Sequence, residues 1–339
     1  MSEYHVAIAG ATGAVGAEFL RLLEEREFPL ASLRLHASER SAGRALRFRG
    51  RDHLVERLGE ESFNGCDIAF FSAGAARSRC FVPAAVRAGA VVIDNSSAFR
   101  LDPSVPLVVP EVNAGDIARS RGIIANPNCS TIIMLLPVAA LRALGPIRRI
   151  VVSTYQAASG AGAQAMQELV EQTREALDGN TLEPRVFPHP IAFNLFSHNS
   201  RIGEDGYNEE EMKMVHEARK ILHDDDLAIT ATCVRVPVLR AHSESINVEF
   251  AGERPPLNAV REALFRFPGV RLVDDVEHNR FPMPVEATGR DEVLVGRVRN
   301  DLSNGSAIEM FVCGDQILKG AALNGLQIAR EWIRRREAA

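Results

Sequence analysis

Residues 5–20 of the chain, HVAIAGATGAVGAEFL, join an apolar run to a helical pattern through three closely spaced glycines. The run HVAIAG predicts a buried strand, and the residues from Val15 onward predict a helix. Between them, Gly10, Gly13 and Gly16 have the spacing GxxGxxG. Glycines at such a turn let the backbone approach a pyrophosphate, whose charge the helix N-terminus favours. The stretch therefore predicts a dinucleotide site, since a ligand-free tight turn would not need three glycines.

Short apolar runs continue to alternate with helical stretches as far as residue 125, and this pattern predicts a doubly wound parallel Rossmann-type sheet of the α/β class. The predicted strands are HVAIAG, SLRLHAS, IAFFSA, AVVIDNS, LVVPEV and GIIANP, and the predicted helices are Val15–Glu25, Ala76–Ala88 and Ala114–Ser120.

Beyond Cys129 the runs RIVVSTYQ, AITATCVRVPV and SINVEFA predict longer strands, with helices at Ala161–Leu177, Glu209–Leu222 and Gly320–Arg336. We expect a dinucleotide-binding domain at 1–128 with 319–339, and an α+β catalytic and dimerisation domain at 129–318.

Composition excludes several classes of protein. The 339 residues are 46% hydrophobic and 24% charged, which is typical of a soluble globular protein. A net charge of −5 indicates no nucleic-acid partner. The longest apolar run, Ile132–Leu141, is too short to span a bilayer, and the N-terminal sequence has no signal-peptide pattern. Five scattered cysteines without a CxxC pair indicate no disulfide framework and no zinc site. We therefore expect a cytoplasmic protein without a metal.

Cys129 lies in a polar loop, Asn126–Ser130, between a predicted strand and a predicted helix. A free cysteine is usually a buried packing residue, as we expect for Cys66, Cys80, Cys233 and Cys313. At a helix start, however, open backbone N–H groups stabilise a thiolate and can bind an oxyanion. A cysteine nucleophile also needs a base, and His242 is the candidate, because it lies where a strand is predicted to meet a polar loop.

Six segments together resemble the aspartate-β-semialdehyde dehydrogenase family. They are GATGAVG at 10–16, SSAFR at 96–100, NPNCSTI at 126–132, YQAASGAG at 155–162, EEMK at 210–213 and RVPVLRAHSES at 235–245. The segments follow the family's order over nearly the whole chain, whereas LFSHNSRIGEDG at 195–206 departs from its pattern. The resemblance implies NADPH-dependent reductive dephosphorylation of β-aspartyl phosphate to aspartate-β-semialdehyde, a reversible step in the biosynthesis of lysine, threonine, methionine and diaminopimelate.

Residue by residue, the resemblance implies that Cys129 is the nucleophile, His242 the general acid/base and Gln156 the residue that orients the acyl group. It further implies that Arg235 holds the substrate α-carboxylate and Glu210 its ammonium, and that phosphate binds at Lys213 and Arg100. A guanidinium fits a carboxylate bidentately, and residues 210 and 213 share one helix face. Taken alone, Arg100 could be an ordinary loop residue in a salt bridge, and Glu210 and Lys213 an ordinary surface pair.

The cofactor implied is NADP(H). After the second predicted strand, Ser38, Arg40 and Ser41 provide the hydroxyls and guanidinium that a 2′-phosphate requires, whereas Glu39 is the acid that would favour NAD. We expect Glu39 to point to the other side because it directly precedes Arg40. The complete set of predicted cofactor residues is Gly10, Thr12, Gly13, Ala14, Val15, Gly16, Ser38, Arg40, Ser41, Ser72, Gly74, Ser159, Gly160 and Asn324.

Three alternatives remain open at the level of sequence. A related acyl-phosphate or acyl-CoA reductase would share the cysteine chemistry, although Arg235 and Glu210 together suit a zwitterionic amino acid. A catalytically silent paralogue that acts as a binding protein would be expected to lack Cys129 or His242. A nucleotide-binding regulator would need a basic patch, which the sequence does not show. The resemblance also implies a homodimer or homotetramer built through the second domain.

Overall fold

The computed structural model describes residues 3–338, which divide into two compact units. The first unit contains the chain up to Asn128 and the segment from Ala321 onward, and the second is Cys129–Gly320.

The first unit contains a seven-stranded sheet with the order β3-β4-β2-β1-β5-β6-β7. The strands are β1 (Tyr4–Ala9), β2 (Leu30–Ala37), β3 (Ala45–Phe48), β4 (Arg51–Arg57), β5 (Ile68–Phe71), β6 (Val91–Asp94) and β7 (Ile123–Ala125). All neighbours are parallel except β3, which pairs antiparallel with β4. The strands β5 and β6 are buried at every position, as expected where helices cover both faces of a parallel sheet. The helices of this unit are α1 (Ala14–Glu25), α2 (Ala75–Arg87), α3 (Pro110–Asn113) and α9 (Leu323–Glu337).

The predicted Rossmann-type fold is confirmed, but the strand LVVPEV at 107–112 is wrong. Leu107 forms only an isolated bridge to Ala125, and Pro110 is the first residue of α3. Proline has no N–H to extend a ladder, and its fixed φ suits the first turn of a helix. The segment predicted as helix Ala114–Ser120 is a 3₁₀ helix at Ala114–Arg119. The hairpin β3–β4 was not predicted, because its arginine-rich strands lack a clear apolar face.

The second unit contains another seven-stranded sheet, with the order β12-β13-β14-β11-β8-β10-β9. Its strands are β8 (Ile147–Gln156), β9 (Phe196–Ser197), β10 (Ala228–Arg235), β11 (His242–Phe250), β12 (Val270–Leu272), β13 (Val293–Asn300) and β14 (Ala307–Gly314). Its helices are α4 (Cys129–Arg142), α5 (Ala163–Leu177), α6 (Glu209–Leu222), α7 (Leu257–Arg266) and α8 (Pro284–Ala287). A π-helical turn at Leu318–Ala322 precedes α9.

On one face of the second unit's sheet, α4 packs against β11 and β14, and α6 packs against β10. Alternate residues of β8 from Ile150 to Gln156 are buried on this face. Because β10 is parallel to β8 and β11 is antiparallel to it, the ends of β8 and β10 and the start of β11 lie at one edge of the sheet. Polar residues at these three positions are therefore brought together by the topology.

Among residues 3–338, no helix is long and apolar enough to cross a membrane, and no group of three or more His, Cys, Asp or Glu side chains could hold a metal ion.

Candidate active site

Gln156, Arg235 and His242 lie side by side at the edge of the second sheet. Gln156 is the last residue of β8 and pairs with Arg235, the last residue of β10. His242 is the first residue of β11, next to the pair formed by Ser243 and Tyr155. The sequence placed His242 where a strand ends, but the strand begins there. All three side chains are at least 97% buried, and they point to the face that α4 covers.

Cys129 begins α4 and is partly exposed. A Cβ atom on Gly320 would lie 2.9 Å from the Cβ of Cys129, so only glycine fits against the cysteine here. The neighbouring Ser130 accepts a hydrogen bond of 3.1 Å from Gln156 Nε2, which joins the end of β8 to the first turn of α4.

The four cysteines that the sequence predicted to be packing residues differ in burial. Cys66, Cys233 and Cys313 are buried, and their burial raises the pKa of each thiol, so none is poised to react at neutral pH. The prediction is wrong for Cys80, which is exposed. On α2 the buried positions are Ser78, Val82, Ala84 and Ala85, and this helical period turns residue 80 to solvent.

The side-chain amide of Gln156 connects the cysteine helix to Glu210. Its Nε2 donates to Ser130 Oγ and to Glu210 Oε1, at 3.1 and 3.0 Å. Because a carboxylate can only accept, this contact fixes which end of the amide is the nitrogen. The Oε1 atom is buried without a hydrogen-bond partner among residues 3–338. It is a free acceptor at the sheet edge.

Arg235 is held by three groups. Its Nη1 donates to the carbonyl of Ala157 at 2.8 Å, and its Nη2 lies 2.9 Å from Nε2 of His198. Its guanidinium carbon lies 5.5 Å from the ring centre of Phe187. The buried Nε has no hydrogen-bond partner within the described chain. His198 was not predicted as a site residue, because no motif marked it within the divergent stretch 195–206.

Glu210 and Lys213 form an ion pair of 3.1 Å near the start of α6. Glu210 is buried, whereas the Lys213 side chain is partly exposed. Asn208 caps this helix, since its side chain accepts from the backbone of Glu211 while the Glu211 side chain accepts from the backbone of Asn208. The cap and the i,i+3 spacing fix both charges relative to the sheet edge.

His242 is a neutral imidazole in this setting. Burial, with a further contribution from the positive charge of Arg235, lowers its pKa to about 3. Its Nδ1 accepts the backbone N–H of Ala157 at 3.0 Å, so in the neutral ring the proton is on Nε2. Nε2 has no hydrogen-bond partner in the described part of the chain. A Cβ on Gly160 would lie 3.2 Å from Nε2 and 2.9 Å from Arg235 Nη1, so Gly160 keeps the space beside both groups open.

Positive charge lies near Cys129. Burial lowers the pKa of Arg235, whereas attraction to Glu210 and, to a smaller extent, to the Cys129 thiolate raises it. By reciprocity, the positive charge of Arg235 stabilises the thiolate. The start of α4 adds the positive end of a helix dipole at the same residue.

In the first unit, the glycine turn packs closely against neighbouring backbone. Gly10 has a φ of +92°, and a Cβ there would lie 2.4 Å from the carbonyl oxygen of Ser72. A Cβ on Gly16 would lie 2.2 Å from the carbonyl oxygen of Gly10.

Gly13 is the N-cap of α1, a helix with no capping side chain and no acid in its first turn. Gly74, with a φ of +87°, is the corresponding N-cap of α2. Thr12, Ala14 and Val15 complete the turn and the first turn of α1.

A surface depression lies beyond the end of β2. It is lined by Ala37, Ser38, Glu39, Arg40, Arg57, Leu58, Arg77 and Phe81. Glu39 Oε1 lies 3.7 Å from Arg57 Nη1. Glu39 lines the same depression as Arg40, contrary to the expectation that it points to the other side. Ser41 is buried and donates its backbone N–H to Ser38. The depression is rich in guanidinium groups that suit an anion.

Three further predicted site residues form hydrogen bonds within the unit to which each belongs. In the first, Arg100 is buried and donates from Nη2 to the carbonyl of Asn95 at 2.8 Å. Asn324 is fully buried, and its Nδ2 donates to Val108 O and Asn126 Oδ1. In the second, Ser159 Oγ accepts a hydrogen bond from Gln316 Nε2.

A glycine-lined dinucleotide turn and a cysteine–histidine site on a separate sheet define a class of nucleotide-dependent aldehyde oxidoreductases. Two family profiles agree with this class: residues 5–120 match the semialdehyde dehydrogenase NAD binding domain, and residues 138–319 match the semialdehyde dehydrogenase dimerisation domain.

Comparison with individual proteins identifies the family within this class. The aspartate-semialdehyde dehydrogenase of Prochlorococcus marinus is 54% identical over 324 residues, covering 96% of this chain and 94% of the relative. That of Synechocystis is 53% identical over 334 residues, covering 98% of both chains. A crystal structure of aspartate semialdehyde dehydrogenase II from Vibrio cholerae has a TM-score of 0.95 at 45% identity, covering 98% of this chain and 99% of the other. The chain belongs to the aspartate-semialdehyde dehydrogenase family, which confirms the resemblance seen in the sequence.

Two solved relatives contain ligands. The same Vibrio cholerae protein has been crystallised in complex with ASA, again with a TM-score of 0.95. A Candida albicans aspartate semialdehyde dehydrogenase has been crystallised with NADP, and its structure has a TM-score of 0.76 at 26% identity, covering 98% of this chain and 99% of the other.

Proposed function

We propose that this protein catalyses the reversible, NADPH-dependent reductive dephosphorylation of β-aspartyl phosphate to aspartate-β-semialdehyde, in the pathway to lysine, threonine, methionine and diaminopimelate. The observation that carries the proposal is the buried sheet edge, where Gln156, Arg235 and His242 lie together and Gln156 is bonded to the first turn of the Cys129 helix. Cysteine, amide, guanidinium and imidazole are the groups that acyl transfer to and from a zwitterionic amino acid requires.

In the proposed mechanism, Cys129 is the nucleophile. Its thiolate, stabilised by Arg235 and the start of α4, attacks the acyl carbon, and the C–O bond to phosphate breaks to leave a thioester. NADPH, when bound, supplies the hydride that reduces this acyl group. The resulting hemithioacetal releases the semialdehyde by breaking its C–S bond, which regenerates the thiolate. Each step is reversible, so phosphate and semialdehyde return to the acyl phosphate.

His242 is the proposed acid/base. With Nδ1 occupied by the Ala157 N–H, Nε2–H is a hydrogen-bond donor and stabilises negative charge on the oxygen of the reacting carbon. To take a proton from the Cys129 thiol, the ring must adopt the other tautomer and release the Ala157 N–H. Because Arg235 already favours the thiolate, we assign His242 the role of hydrogen-bond donor, which its Nε2–H tautomer performs without rearrangement.

Arg235 and Glu210 are the proposed groups that recognise the amino-acid end. Arg235 Nε is a buried donor without a partner in the described residues, which suits a carboxylate oxygen. Glu210 provides the opposite charge for an ammonium and is bonded to Gln156, so the three groups form one connected set. Lys213, paired with Glu210, is a proposed phosphate-binding cation, and Arg100 is a second one on the first unit.

The residues of the first unit fit a dinucleotide. The space beside Gly10 and Gly16 admits no Cβ, and the uncapped start of α1 presents backbone N–H groups to a pyrophosphate. Ser38 and Arg40 line the depression proposed for the 2′-phosphate. The other residues proposed to contact the cofactor are Thr12, Gly13, Ala14, Val15, Ser41, Ser72, Gly74, Ser159, Gly160 and Asn324.

We further propose that residues 1–128 with 319–339 form the dinucleotide-binding domain, and residues 129–318 the catalytic and dimerisation domain. The family profile matched by residues 138–319 is a dimerisation domain. On this basis the protein is a homodimer or homotetramer, and we place it in the cytoplasm.

One absorbance assay tests the proposal. The protein is mixed with aspartate-β-semialdehyde, phosphate and NADP, and the formation of NADPH is followed at about 340 nm, the absorbance of the reduced nicotinamide. We expect turnover that requires all three components. Turnover with another aldehyde but not with aspartate-β-semialdehyde would favour a related reductase, and no turnover with any aldehyde would favour a binding protein.

A further inference from the structure

We infer that His198, supported by Ser200, positions the guanidinium of Arg235 and so determines how well the site distinguishes substrates that carry an α-carboxylate. His198 is not a catalytic residue in this account, because its contact is with Arg235 and not with the reacting atoms. The inference rests on the proposed function, since it assigns Arg235 to the substrate carboxylate.

The backbone brings His198 to Arg235. The short strand β9 pairs with the end of β10, with Phe196 opposite Arg235, and the backbone N–H of His198 donates to the carbonyl of Cys233 at 2.8 Å. The ring therefore starts from a fixed point beside the strand that carries the arginine. Its Nε2 lies 2.9 Å from Arg235 Nη2.

The direction of the hydrogen bonds follows from the chemistry of the groups. A guanidinium can only donate, so Nε2 of His198 accepts and the proton of the neutral ring is on Nδ1. Nδ1 lies 3.1 Å from Ser200 Oγ and 3.3 Å from the backbone nitrogen of Ser200. With its proton in place, Nδ1 donates to the hydroxyl and cannot also accept the backbone N–H of Ser200. Ser200 Oγ also accepts the backbone N–H of Glu210 at 3.1 Å and donates to Asn208 Oδ1 at 3.3 Å. Every hydrogen-bonding position of the serine hydroxyl is occupied in this arrangement.

The surroundings keep the ring in the accepting form. Burial, together with the charges of Arg235 and Lys213, lowers the pKa of His198 to about 4, against an opposing effect of Glu210. At neutral pH the ring therefore presents a lone pair to the guanidinium, instead of a second positive charge.

The consequence is a connection between the two ends of the substrate site. The relay runs from the start of α6, which carries Glu210, through Ser200 and His198 to Arg235. It fixes the distance between the proposed ammonium-binding carboxylate and the proposed carboxylate-binding guanidinium. Ala157 holds Nη1 and His198 holds Nη2, which restrains rotation of the guanidinium plane, and Nε is buried without a hydrogen-bond partner among residues 3–338.

The test compares two substitutions of His198, one with a hydrogen-bond acceptor for Arg235 and one without. His198→Gln has an acceptor oxygen near the position of Nε2, whereas His198→Leu fills a similar volume without an acceptor. Removing an acceptor from a charged donor costs about tenfold or more in binding. For His198→Leu we expect the KM for aspartate-β-semialdehyde to rise about tenfold, with kcat and the KM for NADP nearly unchanged. For His198→Gln we expect values close to those of the wild type, and for Ser200→Ala a smaller rise in the same KM.

A substrate without the carboxylate separates positioning from general damage. We expect kcat/KM for 3-aminopropanal, which lacks the α-carboxylate, to be the same in the wild type and in His198→Leu. An equal loss with both aldehydes, or a His198→Gln variant as impaired as His198→Leu, would overturn the inference. If His198→Leu does not fold, His198→Asn, whose shorter side chain cannot reach Nη2, takes its place with the same expected result. An inactive wild type would refute the proposed function, whereas an active wild type with an unaffected His198→Leu variant would refute only the positioning role.

Discussion

Replacing Glu244 by glutamine is expected to stabilise the protein at neutral pH. Glu244 is the third residue of β11 and lies opposite Thr154 on β8 and Val312 on β14. It is fully buried, and neither carboxylate oxygen has a hydrogen-bond partner among residues 3–338. A buried carboxylate without a partner is costly, so the native state keeps this group protonated.

The size of the stabilisation follows from the difference in the pKa of Glu244 between the native and the unfolded state. Burial raises the pKa of Glu244 well above its usual value of 4.5, which the unfolded chain retains. Because the native carboxyl binds a proton that the unfolded chain gives up, stability is lost as the pH rises above 4.5. Each pH unit costs about 1.4 kcal/mol, which gives at most about 3 kcal/mol at pH 7 while the native carboxyl stays protonated. Glutamine is neutral in both states and avoids this cost.

Denaturant unfolding of the wild type and Glu244→Gln at several values between pH 5.5 and 7.5 is the assay. We expect the variant to be more stable at pH 7, by up to about 3 kcal/mol, with the difference shrinking by about 1.4 kcal/mol for each unit that the pH falls. Glu249→Gln is the matched control on the same strand, because Glu249 is paired with Arg148 and its replacement should destabilise. A Glu244→Gln variant that is less stable than the wild type, or a difference that does not change with pH, would refute the reasoning.

Three further predictions concern the site and the cofactor. Arg235→Lys keeps the charge but loses the contacts of the planar guanidinium with Ala157 and His198. The KM for aspartate-β-semialdehyde should therefore rise about tenfold or more, and a comparable rise for NADP in steady-state kinetics would contradict the assignment. Arg40→Glu should reduce the preference for NADP over NAD by about 1.5–3 kcal/mol, the value of one charge-assisted hydrogen bond. The ratio of kcat/KM for the two cofactors measures this, and Arg47→Glu, an exposed arginine on β3, is a control that should not change it. Burial lowers the pKa of His242 to about 3 from its usual 6.5, so only the unfolded chain gains a proton at this residue between pH 7 and pH 5. The free energy of unfolding of the wild type should therefore fall by about 2 kcal/mol over this range through His242. His242→Asn should lose correspondingly less over that range in urea unfolding, and an identical acid loss would show that the ring is not buried as a neutral group.

The glycine turn could be predicted from the sequence because its constraint is local. A Cβ at Gly10 or Gly16 would overlap a backbone oxygen, so only glycine is tolerated, and the neighbouring apolar run identifies the strand. The helix at Glu209–Leu222 was predicted with the bounds that the structure gives, because its apolar period is regular. By contrast, Pro110 makes the apolar run 107–112 the start of a helix, which hydrophobicity alone does not indicate.

The site could be predicted only in part. Gln156 is far in the sequence from Arg235 and His242, and the residues themselves gave no reason to place the three together before the resemblance was considered. Their meeting depends on the strand order β11-β8-β10, which is a property of the whole sheet. His198 lies in no recognised motif, and Glu244, although it lies within the segment 235–245, has no role assigned there. The importance of His198 comes from its contact with Arg235 and that of Glu244 from burial without a hydrogen-bond partner, and a sequence displays neither.

The central claim is that Cys129 forms a thioester, and a burst experiment without phosphate tests it most directly. The protein is mixed with aspartate-β-semialdehyde and NADP, and NADPH absorbance and the mass of the protein are recorded. Without phosphate to release the acyl group, we expect one equivalent of NADPH per active site, together with one aspartyl group attached to the peptide that contains Cys129. Cys80→Ala, which removes an exposed cysteine, should behave like the wild type, whereas Cys129→Ala and Cys129→Ser should show neither the burst nor the adduct. A full burst in Cys129→Ala, or an acyl group on another residue of the wild type, would contradict the account.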